Sequence, residues 1–176
     1  GKLYPTGDED QRKTPYMFPH DTKIAGRHSC PCGNSTFHAN IFTSMDLSPY
    51  NTCKMPVTMR KNLFLLQAIP SKFEKNPIVK SGFDPGIKVI QKKDGWYLKI
   101  NVPEELPQDA NSKALSSEDL GNAVVPNQTF NPANGTPIVF DTDYLENKRE
   151  FPGACPGPLN FTKSGRQEIK IYPVAD

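Results

Sequence analysis

The sequence predicts an all-β protein with little helix. Apolar and polar residues alternate in several segments, helical periodicity is nearly absent, and turn-forming residues punctuate the chain. Of the 176 residues, 18 are Pro and 12 are Gly, which together exceed the usual share of about 12 %. Because helices do not alternate with the strand signals, parallel βαβ units are not expected.

Four segments are predicted to be strands, in addition to a hairpin that is described below. Residues 36–43 alternate strictly, and residues 57–67 begin with alternation and end in an apolar run. Residues 137–142 and 167–172 are two further predicted strands. The best helix signal, at residues 116–120, is one turn at most. No internal repeat of the length that defines solenoid proteins stands out.

Residues 87–102 give the clearest supersecondary signal. Two β-rich runs flank Asp94-Gly95, a pair that readily takes the positive φ of a tight hairpin turn. Trp96 and Tyr97 are adjacent, so they point to opposite faces of their strand. Either one, if exposed, is a candidate ring for stacking on a sugar. The alternative is that Trp96 fills the core.

The composition defines the class of protein. A chain of this length can bury a real core, and we expect a single all-β domain at residues 36–176. Residues 1–35, rich in Pro and charge, are expected to be an irregular arm or a functional surface loop. Because the chain starts with Gly1 rather than Met, an upstream domain of a longer protein is expected.

Charge and hydropathy exclude two kinds of partner. The 21 basic residues nearly balance the 19 acidic ones, for a net charge of +2, and no basic stripe indicates binding to nucleic acid. No run approaches the roughly 18 apolar residues that a membrane span requires.

The cysteines favour structural roles over catalysis. Cys30 or Cys32 is a candidate disulfide partner of Cys53, and free buried thiols are the alternative. A zinc site would require four ligands, usually with CxxC spacing, whereas Cys30-Pro31-Cys32 is tighter and no second pair follows.

Asp141 and Asp143 are the candidate chemical site. Because they lie two apart on a predicted strand, they share a face, with Cβ atoms about 7 Å apart. That geometry suits a pair of catalytic carboxylates or a calcium site, calcium being the one cofactor considered. The alternative is a polar strand end, where these acids pair with Lys148 and Arg149.

A family resemblance lies in the last hundred residues. Asn131-Pro132, Gly135-Thr136-Pro137, Asp141-x-Asp143-Tyr144 and Arg149 are followed by the closing sequence CPGPLNF. This arrangement resembles the carboxy-terminal region of secreted bacterial right-handed parallel β-helix proteins, a group of polysaccharide-degrading enzymes. Glu146 stands where that pattern has Gly, and Ala133-Asn134 also departs from it.

The resemblance has implications for fold and function. It implies the terminal coils of a parallel β-helix with a β cap, and a β-sandwich-like module is the alternative. It also implies a polysaccharide partner and an extracellular or cell-envelope location, and that the acids of this region are structural. The leading hypothesis is a non-catalytic β module of a glycan-processing protein. A glycoside hydrolase or lyase using Asp141 and Asp143, and an adhesion or lectin-like protein, are the alternatives.

Overall fold

The protein is all-β, as the sequence predicts. A computed structural model describes residues 13–29, 31–104, 106 and 113–173. Within these residues the helical elements are two short 3-10 helices, Ser48–Thr52 and Glu118–Leu120. A search of the same residues finds no helix with the length and apolar character that a bilayer crossing demands.

Short parallel strands wind into successive coils. One sheet contains β3 (Ser35–His38), β5 (Val57–Arg60) and β7 (Glu74–Lys75). The next contains β4 (Ile41–Thr43), β6 (Leu63–Leu65) and β8 (Ile78–Lys80). Each coil therefore adds one strand to each sheet, which is the stacked architecture that the family resemblance implies.

The chain turns a corner between the two sheets of each coil, and this corner divides one of the predicted strands. Residues 36–43 form two strands instead of one, because Ala39 turns the chain with a φ of 54°. Lys61 and Asn76 make the same turn one and two coils later, with φ values of 59° and 54°. Residues other than Gly rarely adopt this left-handed conformation, so the residue types at these positions do not indicate the corner.

A buried asparagine holds this corner together. Asn62, which is 1 % exposed, accepts hydrogen bonds from the backbone and side chain of Asn40, one coil earlier. It donates to the Phe37 carbonyl at 3.0 Å and to the Glu74 carboxylate at 2.5 Å. The pKa of Glu74 is raised by burial, which the hydrogen bonds from Asn62 only partly offset.

The coils enclose the first of two apolar cores. Its buried members are Leu47, Val57, Met59, Phe64 and Ala68. Cys53 packs against this cluster and forms a disulfide with Cys32, a bond compatible with an extracellular location. Cys30, the other candidate partner, lies outside the described residues.

The predicted hairpin at residues 87–102 is confirmed. β9 (Lys88–Lys92) and β10 (Gly95–Val102) pair across a two-residue turn, and Gly95 has a φ of 149°. β15 (Gly165–Tyr172) pairs antiparallel with the other edge of β10. Trp96 does not fill a core, because it lies near the end of this sheet and is 40 % exposed.

The region expected to be an irregular arm contains a second hairpin. β1 (Lys13–Met17) pairs antiparallel with β2 (Ile24–Ser29). Pro15 argued against a strand here, yet a two-stranded ribbon has only edge strands, where Pro is tolerated. The division of the chain at residue 35 stays a prediction.

Residues 113–161, here called the closing segment, run beside the coils. Their strands are two residues long: β11 (Leu115–Ser116), β12 (Asn122–Ala123), β13 (Gln128–Thr129) and β14 (Val139–Phe140). Cys155, Leu159 and Phe161 from this segment are buried against Ile100 and Val102 of β10. This second core attaches the antiparallel sheet to the coils through Ile41.

Candidate functional site

Three strand ends bring polar side chains into one column. His38, Arg60 and Lys75 are consecutive partners across the parallel strands β3, β5 and β7. Adjacent strands lie about 4.8 Å apart, and partners in register point to the same face. Their neighbours Met59 and Glu74 are buried, so the column, named here the register column, faces outward from the coils.

The closing segment is fastened to the coil corner next to this column. The backbone N–H of Gly157 donates to the Ala39 carbonyl at 2.7 Å. Gly157 has a φ of 104°, and a Cβ at this position would lie 2.7 Å from Ile41 Cδ1. Only Gly therefore permits this close approach.

Arg149 shapes the loop that makes the contact. Its guanidinium donates to the carbonyls of Thr142, Cys155 and Gly157, at 3.2, 3.0 and 2.5 Å. The alternative in which Arg149 pairs with one of the two acids is wrong, because the guanidinium binds backbone oxygens and fixes the curvature of the loop.

A cleft of about 890 Å³ lies between the coils and the closing segment. Its floor is the coil corner with the register column, and its far wall is the closing segment. Polar lining residues are His38, Asn40, Arg60, Lys61, Lys75, Asn76, Lys113, Thr142 and Arg149. Apolar lining residues are Ala39, Ile78, Leu115, Leu120, Phe140, Phe151, Ala154, Cys155, Pro156 and Gly157.

The cleft is electrostatically positive. The pKa of His38 is lowered to about 4, chiefly by burial and then by the charges of Arg60 and Lys61, while Asp119 acts in the opposite direction. His38 is therefore neutral at neutral pH, and its ring offers one donor and one acceptor. Among the described residues, the buried Nε atom of Arg60 has no hydrogen-bond partner.

Asp143 lies in the loop beside the cleft, and its carboxylate binds backbone groups of the protein. Its carboxylate accepts hydrogen bonds from the backbone N–H groups of Leu145, Asn147 and Asn160 at 2.9–3.0 Å. Burial acts to raise the pKa of Asp143, but these bonds outweigh it and leave the pKa below its usual value. A general acid requires the opposite shift.

Asp141 has a separate partner. Its carboxylate pairs with Lys148, and its backbone oxygen accepts from the N–H of Arg149 at 2.8 Å. Neither Asp141 nor Asp143 lines the cleft. In the ranges that the structure describes, no group of three or more His, Cys, Asp or Glu residues is arranged to hold a metal ion, so the calcium site stays a prediction without a ligand set.

The two candidate aromatic residues lie on the hairpin, away from the cleft. Tyr97 donates its hydroxyl to Asp94 at 2.7 Å, and the Lys92 ammonium lies 4.4 Å from its ring centroid. Trp96 is the cross-strand partner of Tyr172, which is 62 % exposed. This surface is a second place where aromatic rings meet solvent.

The register column is the feature that sequence reasoning missed. A signal was present: residues 35–43, STFHANIFT, align with residues 57–65, VTMRKNLFL, at a spacing of 22. Thr, Asn and Phe recur at equivalent places, and His38 aligns with Arg60. The expectation of no internal repeat is therefore wrong, because the strands of these two coils pair at this constant spacing.

Comparisons with known proteins give one informative similarity. No protein-family model and no curated protein sequence matches the chain. Among solved structures, the chain is similar to XylC in its complex with xylose, with a TM-score of 0.81 and 27 % sequence identity. The similarity covers 92 % of this chain and 30 % of XylC. The chain therefore spans under a third of the length of the protein that it resembles.

Proposed function

We propose that this chain is a non-catalytic, carbohydrate-contacting β module of a larger glycan-processing protein of the extracellular space or cell envelope. The observation that carries the proposal is the similarity to XylC, a protein whose structure contains xylose. A TM-score of 0.81 over 92 % of the chain, at 27 % identity, supports descent from a common carbohydrate-related protein.

The cleft is the proposed site of sugar contact. Ligand sites are typically concave, with volumes of about 300–1,000 Å³, apolar walls and a few convergent polar groups. The cleft has this character, since Phe140 and Phe151 lie in the same lining as His38, Asn40 and Arg60. Apolar groups can cover a pyranose face while the polar ones bind its hydroxyl groups.

The non-catalytic part of the proposal rests on the carboxylates. Glycoside hydrolysis generally uses two of them across the scissile bond, and no Asp or Glu is among the described residues that line the cleft. Asp143 is held by backbone amides and Asp141 by Lys148. A catalytic pair in the larger protein would then come from residues outside this chain.

Titration calorimetry with xylose and xylotetraose tests the proposal. We expect binding of both by the 176-residue chain, and no release of reducing sugar. Phe140→Ala should weaken binding, whereas Phe130→Ala should not. Phe140 lines the cleft at 46 % exposure, and Phe130 is 45 % exposed outside the lining. Absence of binding would contradict the saccharide site, and turnover of xylotetraose would contradict the non-catalytic role.

A further inference from the structure

The cleft concentrates positive charge in a chain that is nearly neutral. Five lining residues are Lys or Arg, and none of the described lining residues is acidic, although the chain as a whole has 21 basic and 19 acidic residues. A concave site with one sign of charge focuses the field and attracts ligands of the other sign.

Several of the five cations already have partners in the protein. Arg149 donates to three backbone carbonyls, and Lys113 pairs with Asp119 at 3.1 Å. By contrast, Arg60 and Lys75 form no ion pair within the described ranges. They are direct neighbours in the register column, so their charges lie side by side at the floor of the cleft.

A second, independent observation at Arg60 indicates that a ligand is needed to complete the site. The Arg60 Nε is buried and has no hydrogen-bond partner in the part of the chain that the structure describes, and a buried polar group left unsatisfied in a native fold calls for an explanation. Among the described residues, no carboxylate forms an ion pair with this guanidinium. An anion bound in the cleft would neutralise the Arg60 charge, because planar oxyanions are the preferred partners of guanidinium groups.

We propose that the cleft binds an acidic saccharide, a hexuronate whose carboxylate contacts Arg60. This inference rests on the saccharide site proposed above and specifies its ligand class. In this arrangement Lys75 adds a second positive charge from the next strand. His38, uncharged at neutral pH, remains available to the sugar hydroxyl groups as donor or acceptor.

A comparison of three sugars with the same ring configuration measures the contribution of the sugar carboxylate to binding. D-xylose, D-glucose and D-glucuronate differ only in the substituent at C5, which is hydrogen, hydroxymethyl or carboxylate. We expect the 176-residue chain to bind glucuronate at least about tenfold more tightly than the two neutral sugars, as for a charge-assisted hydrogen bond. Added salt should reduce this preference, because it screens charge.

Variants of single cationic residues test whether Arg60 and Lys75 cause this preference. Arg60→Gln should remove the preference for glucuronate, measured as the ratio of the glucuronate and xylose affinities of the same variant. Lys75→Gln should reduce the preference for glucuronate. If Arg60→Gln does not fold, Lys75→Gln is the variant that tests the inference. Lys88→Gln is the control, because Lys88 is an exposed residue of β9 outside the cleft lining, and it should behave as the unmodified chain does.

The outcomes separate this inference from the proposed function. Equal affinity for xylose and glucuronate would overturn the acidic ligand and leave the saccharide site intact. Absence of binding by all three sugars would overturn both. Competition by inorganic phosphate or acetate at the same affinity as glucuronate would reveal an anion site without sugar recognition, and would also overturn the inference. A glucuronate preference lost in Arg60→Gln supports it.

Discussion

The Oδ2 atom of Asp143 accepts a hydrogen bond from the backbone N–H of Asn160 at 3.0 Å, across 17 residues of the chain. The Oδ1 atom of the same carboxylate accepts from the N–H groups of Leu145 and Asn147. One side chain thus joins the turn that follows Asp143 to the chain entering the second core. This turn is part of the loop that forms the far wall of the cleft.

Asp143→Ala should destabilise the fold by about 2–4 kcal/mol, because it leaves several partly buried N–H groups without acceptors. Asp141→Ala is the matched control, since it removes only the exposed pair with Lys148 and should cost at most about 1 kcal/mol. Urea denaturation of both variants measures these costs. Equal costs would contradict the structural role of Asp143.

The same carboxylate should make stability fall in acid. The folded-state pKa of Asp143 lies below its usual 3.8, so its contribution is present above that pH and is lost as the pH falls through the folded-state pKa. The difference in free energy of unfolding between the unmodified chain and Asp143→Asn should therefore shrink below about pH 4. Denaturation at a series of pH values checks this; a constant difference would refute it.

Glu146→Gly should stabilise the protein. Glu146 has a φ of 65°, which strains a residue with a Cβ by about 1–2 kcal/mol. Gly has no such strain but loses more entropy on folding, by about 0.5–1 kcal/mol. We expect a net gain of about 0.5–1 kcal/mol in thermal unfolding measurements. Glu150→Gly, at a position without positive φ, should be destabilising; a gain there would remove the conformational explanation.

Asn62→Ala should cost about 3 kcal/mol of stability, because it leaves the Phe37 carbonyl and the Asn40 N–H without their partners inside the coil, and leaves Glu74 only the backbone N–H of residue 62. Asn122→Ala removes a single exposed hydrogen bond to Asn127, so its effect should stay within about 0.5 kcal/mol. Chemical denaturation distinguishes the two. A small effect of Asn62→Ala would mean that apolar packing alone holds the corner.

Local features of the fold could be predicted from the sequence. The hairpin around Asp94-Gly95 was predictable because a two-residue turn needs only neighbouring residues. The single turn at residues 116–120 appears as the 3-10 helix Glu118–Leu120. The strand at residues 36–43 was not predicted correctly, because the left-handed φ of Ala39 is imposed by the stacking of coils and not by Ala itself.

The cleft could not be predicted in the same way. His38, Arg60 and Lys75 become neighbours only through the register of three parallel strands, and the spacing from the second to the third coil differs from the 22-residue step before it. Asp141 and Asp143 were conspicuous as a carboxylate pair, yet their oxygens are directed to Lys148 and to backbone amides. The alternative of a polar strand end included the Asp141–Lys148 pair, but the sequence did not indicate the backbone amides that hold Asp143.

We propose that this protein contacts sugar in the cleft between the coils and the closing segment. Backbone amide NMR spectra recorded during a titration with xylotetraose are the sharpest test of this site. We expect shifts concentrated at His38, Arg60 and Phe140, with the Trp96 signals unchanged. Shifts confined to Trp96 and the β9–β10 hairpin, with the cleft residues unaffected, would contradict it.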